Sequence, residues 1–217
     1  MKELKETERR ERAEDTKETG RIEAFSDGVF AVAITLLVLN IQAPPHDALP
    51  KSSAELLNFL KDQWPIYLAF VTSFATIGIM WVNHHRLYTH IKRSDNTLLL
   101  LNLLLLLVIV IIPFPTALMA EYITQPDPRV AAVIYSGMFL LMALGFNFVW
   151  RYAAHKNRLL DPNANIKEVK AITGQYRLGP LFYVFTFALA FVLPLASIVL
   201  ELLLAIYFAL PGRRQPE

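Results

Sequence analysis

The sequence predicts an all-α membrane protein with six transmembrane helices per subunit and both termini cytoplasmic. Three observations lead there. Of the 217 residues 54% are hydrophobic and only 18% charged, with a mean hydropathy of +0.38, too sparse a charge for a soluble surface. Fourteen of those charges crowd into the first 21 residues. Six apolar stretches follow, each near the length that crosses a hydrocarbon core of ~30 Å. There is no cysteine, which excludes a disulfide scaffold, thiol catalysis and cysteine-ligated metals. A net charge of +2 gives no reason to expect a nucleic-acid partner.

Residues 1–20 read as a charged cytoplasmic tail. Arg9, Arg10 and Arg12 interleave with Glu8, Glu11 and Glu14, and no apolar run marks a signal peptide. The expected spans are Ile22–Gln42, Trp64–Asn83, Leu98–Tyr122, Val130–Trp150, Leu178–Leu193 and Pro194–Leu210. Pro65 opens the second at little cost. The third is the most apolar, Leu98 to Ile112 being interrupted only by Asn102, and Pro113 and Pro115 kink or end it. Leu178–Leu210 as one helix would be about 50 Å long, so it is read as a hairpin turning at Pro194. The connection 42–63 is read as a polar loop, and 155–175 as a short amphipathic or irregular segment lying at the interface. Residues 21–212 then form one six-helix membrane domain and residues 213–217 a basic cytoplasmic end.

The loops agree with that count. The expected inner side holds 18 Lys and Arg and the outer side three, Lys51, Lys61 and Arg129, a strong positive-inside bias. Trp64, Tyr67, Tyr122, Trp150 and Tyr152 lie where interfacial aromatic anchors belong.

The first helix carries the most information. Asp27 lies about 9 Å beyond Arg21 at ~1.5 Å per residue, a depth where an unpaired carboxylate costs roughly 3 kcal/mol. On a helical wheel Phe25, Gly28, Val29, Val32, Thr35, Leu36 and Leu39 form one stripe, and Glu23, Asp27 and Ile34 face away from it. Such a stripe is either a packing seam or the wall of a pore that gates by dewetting.

The string Arg21-x-x-x-Phe25-Ser26-Asp27-Gly28, with Trp81 to Leu87 (WVNHHRL), Asn102 and the PFPT of Pro113–Thr116, resembles the transmembrane protein 175 family of potassium channels. The resemblance covers essentially all the apolar stretches. It implies a homotetramer around a central pore lined by the first helix, without a re-entrant selectivity loop. Stacked apolar layers of the family match Val32, Leu36 and Leu39, with a hydroxyl position at Thr35. Val32 is shorter than the usual Ile or Leu, so either the seal shifts to Leu36 or the inner layer is wider. The family's polar network, carried over, couples Arg21, Ser26 and Asp27 to Trp81 and to His84 or His85. That network either braces the first helix or also senses cytoplasmic pH.

The implied activity is passive conduction of potassium and other monovalent cations across the bilayer of a cell membrane. No enzyme chemistry, cofactor or resident metal is expected beyond K⁺ in transit. A proton-coupled transporter using Asp27 or Glu201 and a non-conducting oligomeric scaffold are the alternatives from other classes. His84 and His85 point about 100° apart on a helix, which argues against a shared metal. Glu201 is a structural carboxyl or a proton or cation site. Asn40, Asn102 and Asn147 are interhelical hydrogen-bond partners.

Overall fold

A helix that is apolar on one stripe must bury that stripe or meet lipid with it, and the path of this chain shows which does which. The computed structural model describes residues 2–209; the expected basic end 213–217 lies outside them. Helix α1 (Lys2–Leu36) runs unbroken from the charged segment into the first apolar stretch and tightens into a 3-10 turn over Leu37–Asn40. Helix α2 (Ser53–Asp62) stands in the connection read as a loop. Ser52 caps it, its hydroxyl accepting the Glu55 amide at 3.2 Å, while Lys51 N–H donates to Glu55 at 2.8 Å. The Ser52-x-x-Glu55 pattern is a helix-start signal that polarity alone concealed.

Helix α3 (Trp64–His90) opens on Pro65. Helix α4 (Asn96–Ile111) is capped by Asp95, which accepts from Leu98 N at 2.9 Å, and Pro113 breaks it from α5 (Pro113–Tyr122). Helices α6 (Arg129–Ala154), α7 (Ile166–Ala190) and α8 (Pro194–Ala209) complete the bundle, with the turn at Pro194 where the hairpin was expected. Helix α6 is central and packs on α4, α5, α7 and α8, burying Phe139, Val149 and Trp150. Helix α1 packs on α3 and α4 at the edge of this group.

The expectation of six transmembrane helices is corrected. Among the described residues four helical stretches are long and apolar enough to cross a membrane: Thr19–Asn40, Trp64–His90, Asn96–Tyr122 and Arg129–Asn157. Helix α7 begins at Ile166, and its first half carries Lys167, Glu168, Lys170, Gln175 and Arg177. Its apolar part starts only at Leu178, giving roughly 20 Å at ~1.5 Å per residue. Helix α8, at 16 residues, reaches about 24 Å, also short of the ~30 Å core. The apolar runs of Leu178–Leu193 and Pro194–Leu210 suggest two crossings, but the pair forms a short apolar hairpin packed on α6. Trp150 is also corrected: it is fully buried, with its indole N–H donating to Thr173 at 3.0 Å, and is no interfacial anchor.

The two ends of the bundle are tied differently. At the basic end Ile91 and Leu160 pair as an antiparallel bridge, Lys92 N–H donates to Leu159 O at 2.9 Å, and Asp161 N–H donates to His90 O at 2.9 Å. Asp95 there accepts from Tyr152 at 2.8 Å and from Arg158. Burial alone would raise its pKa, but the Leu98 amide, Tyr152 and Arg158 hold it below the usual carboxylate range. At the opposite end Gln63 donates to Gln42 O at 3.1 Å, joining the first connection to the start of α3.

Candidate functional site

Helix α1 divides into two faces along its apolar half. Ile22, Ser26, Phe30, Ala33 and Leu37 are buried at steps of three and four residues, the period of a helix lying on a core. The other side is open. Leu39 is 69% exposed, Phe25 58%, Val32 55% and Leu36 38%, with Gly28 and Thr35 exposed between them and Val29 half-buried. The stripe read from the wheel is therefore the face that the single subunit leaves uncovered.

Its composition differs from the exposed side of α4, where Leu99, Leu100, Leu103, Leu104 and Leu107 form an unbroken aliphatic surface. The α1 face instead mixes Ala24, Gly28, Ala31 and Thr35 with its large residues, and small residues permit close approach of helices. Thr35 donates its hydroxyl hydrogen to Val32 O at 2.9 Å, which leaves its oxygen lone pairs turned outward as acceptors. The 3-10 turn that follows eclipses residues three apart, so Leu39 stands directly above Leu36 along the helix axis.

The buried face is held by polar contacts at the basic end of α3. Trp81 donates its indole N–H to Asp27 at 2.8 Å. Ser26 donates to Ile22 O at 2.8 Å, and Asn102 Nδ2 donates to Ser26 at 3.0 Å. The Asn102 carbonyl then faces His84 Nε2 at 2.9 Å, so Nε2 carries the hydrogen, while Nδ1 meets no hydrogen-bond partner among the described residues. His84 is fully buried, stacked on Tyr88 at 4.7 Å and edge-on to Phe30 at 5.4 Å. One directed relay thus joins α3, α4 and α1.

Neither histidine bonds Asp27. His84 reaches Ser26 through Asn102, and His85 pairs with Glu23 at 2.5 Å on the partly exposed rim. Arg21 is exposed and joins none of these bonds among the described residues. Phe25 and Gly28 of the motif lie on the open face, away from the network. Asn102 is the interhelical hydrogen-bond partner its place in the sequence suggested, and Glu23 is the member that spacing did not pick out. Their signals were present: Asn102 is the lone polar residue in a 15-residue apolar run, and Glu23 lies one turn before Asp27 on the same side.

This arrangement fixes one face of α1 and presents the other. It brings together no nucleophile with a base, and among the described residues no group of three His, Cys, Asp or Glu converges to hold a metal.

Comparison with known proteins places this geometry in a family. The family model described as the endosomal/lysosomal potassium channel TMEM175 matches residues 21–113, the stretch that carries both the open face and the network. A Chamaesiphon minutus protein named a potassium channel is 52% identical over 91% of this chain and 97% of its own length. One from Streptomyces collinus, also named a potassium channel, is 43% identical over 88% of this chain and 91% of its length. The crystal structure of a lysosomal potassium-selective channel TMEM175 homolog from Chamaesiphon minutus superposes with a TM-score of 0.78 at 50% identity, covering 89% of this chain and 97% of that one. With identity of this level running through nearly the whole chain, this multi-pass membrane protein belongs to the TMEM175 family.

Proposed function

We propose that the chain is a potassium-permeable cation channel that assembles as a homotetramer, with ions passing along an axis bounded by the open faces of four α1 helices. Residues 21–212 are the conducting unit, and the charged tail of residues 1–20 and the basic end of residues 213–217 face the cytoplasm of a cell whose surface membrane the protein spans. The observation that carries this reading is the open face itself. Val32, Leu36 and Leu39 stay exposed on a helix whose other side is buried and pinned, in a chain whose relatives bear the name potassium channel.

Conduction at an apolar neck is governed by hydration. An ion passing Leu36 and Leu39 gives up part of its water, and the Thr35 oxygens replace some of it. Potassium holds its water less tightly than sodium, so the neck favours potassium. Val32 is a short layer, which places the tightest point at Leu36. The network of Ser26, Asp27, Trp81, His84 and Asn102, with the His85–Glu23 pair at its rim, positions the pore wall and takes no part in ion contact.

The test is flux through the purified protein in liposomes. Potassium efflux is expected to run down its own gradient, without saturating at millimolar potassium and without a proton gradient. Flux that saturates and stops when the proton gradient is collapsed would replace the channel by a coupled transporter.

A further inference from the structure

Away from the α1 face, one carboxyl among the described residues is buried with no charge to match it. Glu201 of α8 is 1% exposed, and neither of its oxygens completes a hydrogen bond of ordinary geometry. The groups that act on it are the hydroxyls of Ser136 on α6 and Thr186 on α7. Tyr135 of α6 and Tyr183 of α7 are the titratable groups that feel it, and from α3, α6 and α7 no lysine, arginine, histidine or second acid acts on it. An isolated carboxylate in such surroundings is strongly disfavoured.

The two hydroxyls suit the neutral acid. Thr186 spends its hydrogen on Tyr183 O at 3.0 Å, so its oxygen can only accept, as the O–H of a protonated carboxyl requires. Ser136, fully buried and without a hydrogen-bond partner, has a hydrogen to give the remaining carboxyl oxygen. Thr186 therefore has no hydrogen to offer a carboxylate.

Tyr135 stands between the site and a cavity toward the end of the bundle where α3 begins. Tyr135 is buried between Glu201 and Ser73, which shares a 2.8 Å hydrogen bond with Thr116. The same tyrosine lines a cavity of about 110 Å³ that extends to Pro65 and Ile123 at that end.

We propose that Glu201 is a proton-binding site inside each subunit, loaded and emptied past Tyr135 and separate from the ion path along α1. Loading neutralises the charge between α6, α7 and α8. Unloading leaves an unmatched carboxylate in the hairpin and loosens its packing. This inference does not depend on the channel reading.

Labelling of the full chain in liposomes with dicyclohexylcarbodiimide, a hydrophobic reagent for protonated carboxyls, tests it by peptide mapping. Label is expected on Glu201, falling by roughly tenfold or more between about pH 5 and about pH 9, at a level that sodium and potassium do not change. E201Q, which keeps a neutral donor and acceptor, is expected to lose that label and remain folded. Equal labelling at every pH would make Glu201 a permanently protonated structural acid and overturn the proposal. Absence of label at every pH would overturn it as well, and protection by sodium or potassium at fixed pH would replace the proton by a metal cation.

Discussion

Leu36→Asn is expected to raise potassium flux in liposomes by roughly tenfold and to erode discrimination against sodium, a change equivalent to about 1.4 kcal/mol in the barrier. Leu36 is the middle apolar residue of the open face, one helical turn beyond Val32 and eclipsed by Leu39. An amide there wets the neck and supplies an oxygen to any cation, so both ions pass and the difference in their hydration counts for less. Leu36→Ala is expected to act in the same direction by widening the neck. Folding should be little affected, because Leu36 points away from the core and surface changes fall within about 0.5 kcal/mol. The neighbouring Leu37 is fully buried, and its replacement by alanine is expected to destabilise by about 2–5 kcal/mol. The pair of substitutions separates the open face from the packed one. Flux unchanged in both Leu36 variants would remove Leu36 from the ion path.

Asn102→Leu is expected to lower the unfolding temperature of the purified assembly by roughly 5 °C, for about 2 kcal/mol lost in a chain of this size. Asn102 accepts from His84 and donates to Ser26 at once. Leucine removes both bonds and strands the His84 Nε2–H in a dry interior, where an orphaned donor costs about 1–3 kcal/mol. Asp27→Asn should be milder than Asp27→Leu, since an amide oxygen still accepts the Trp81 indole while leucine does not. Thermal unfolding followed by size-exclusion chromatography checks both comparisons. An Asn102→Leu protein as heat-stable as the wild type would show that the two Asn102 bonds do not hold α1.

What was legible in the sequence followed from one-dimensional properties. The first four spans stood out because length and apolarity along the chain decide whether a helix can cross. Pro113 and Pro194 marked a break and a turn, since a missing donor acts wherever it falls. The open stripe of α1 was legible because a 3.6-residue period maps sequence onto face without reference to neighbours. The fifth and sixth spans failed for a related reason. An apolar run such as Leu178–Leu193 says that a segment is buried, but burial against α6 and burial in lipid leave the same pattern. The partners of the histidines lay beyond reach because His84 and His85 differ only in which neighbour their turn of α3 presents. Asn102, reached from 18 residues away, decides it. Helix α2 was hidden by its polarity, although Ser52 and Glu55 announced it.

The central claim is that the open face of α1 meets water and ions while the outer face of α4 meets lipid. The chain has no cysteine, so single thiols introduced at Thr35, Leu39 and, as a lipid-facing control, Leu104 report on one position each. A charged methanethiosulfonate reagent is expected to block potassium flux in Thr35→Cys and Leu39→Cys and to leave Leu104→Cys conducting. If Leu39→Cys and Thr35→Cys conduct unchanged after the reagent, the α1 face does not line the pore.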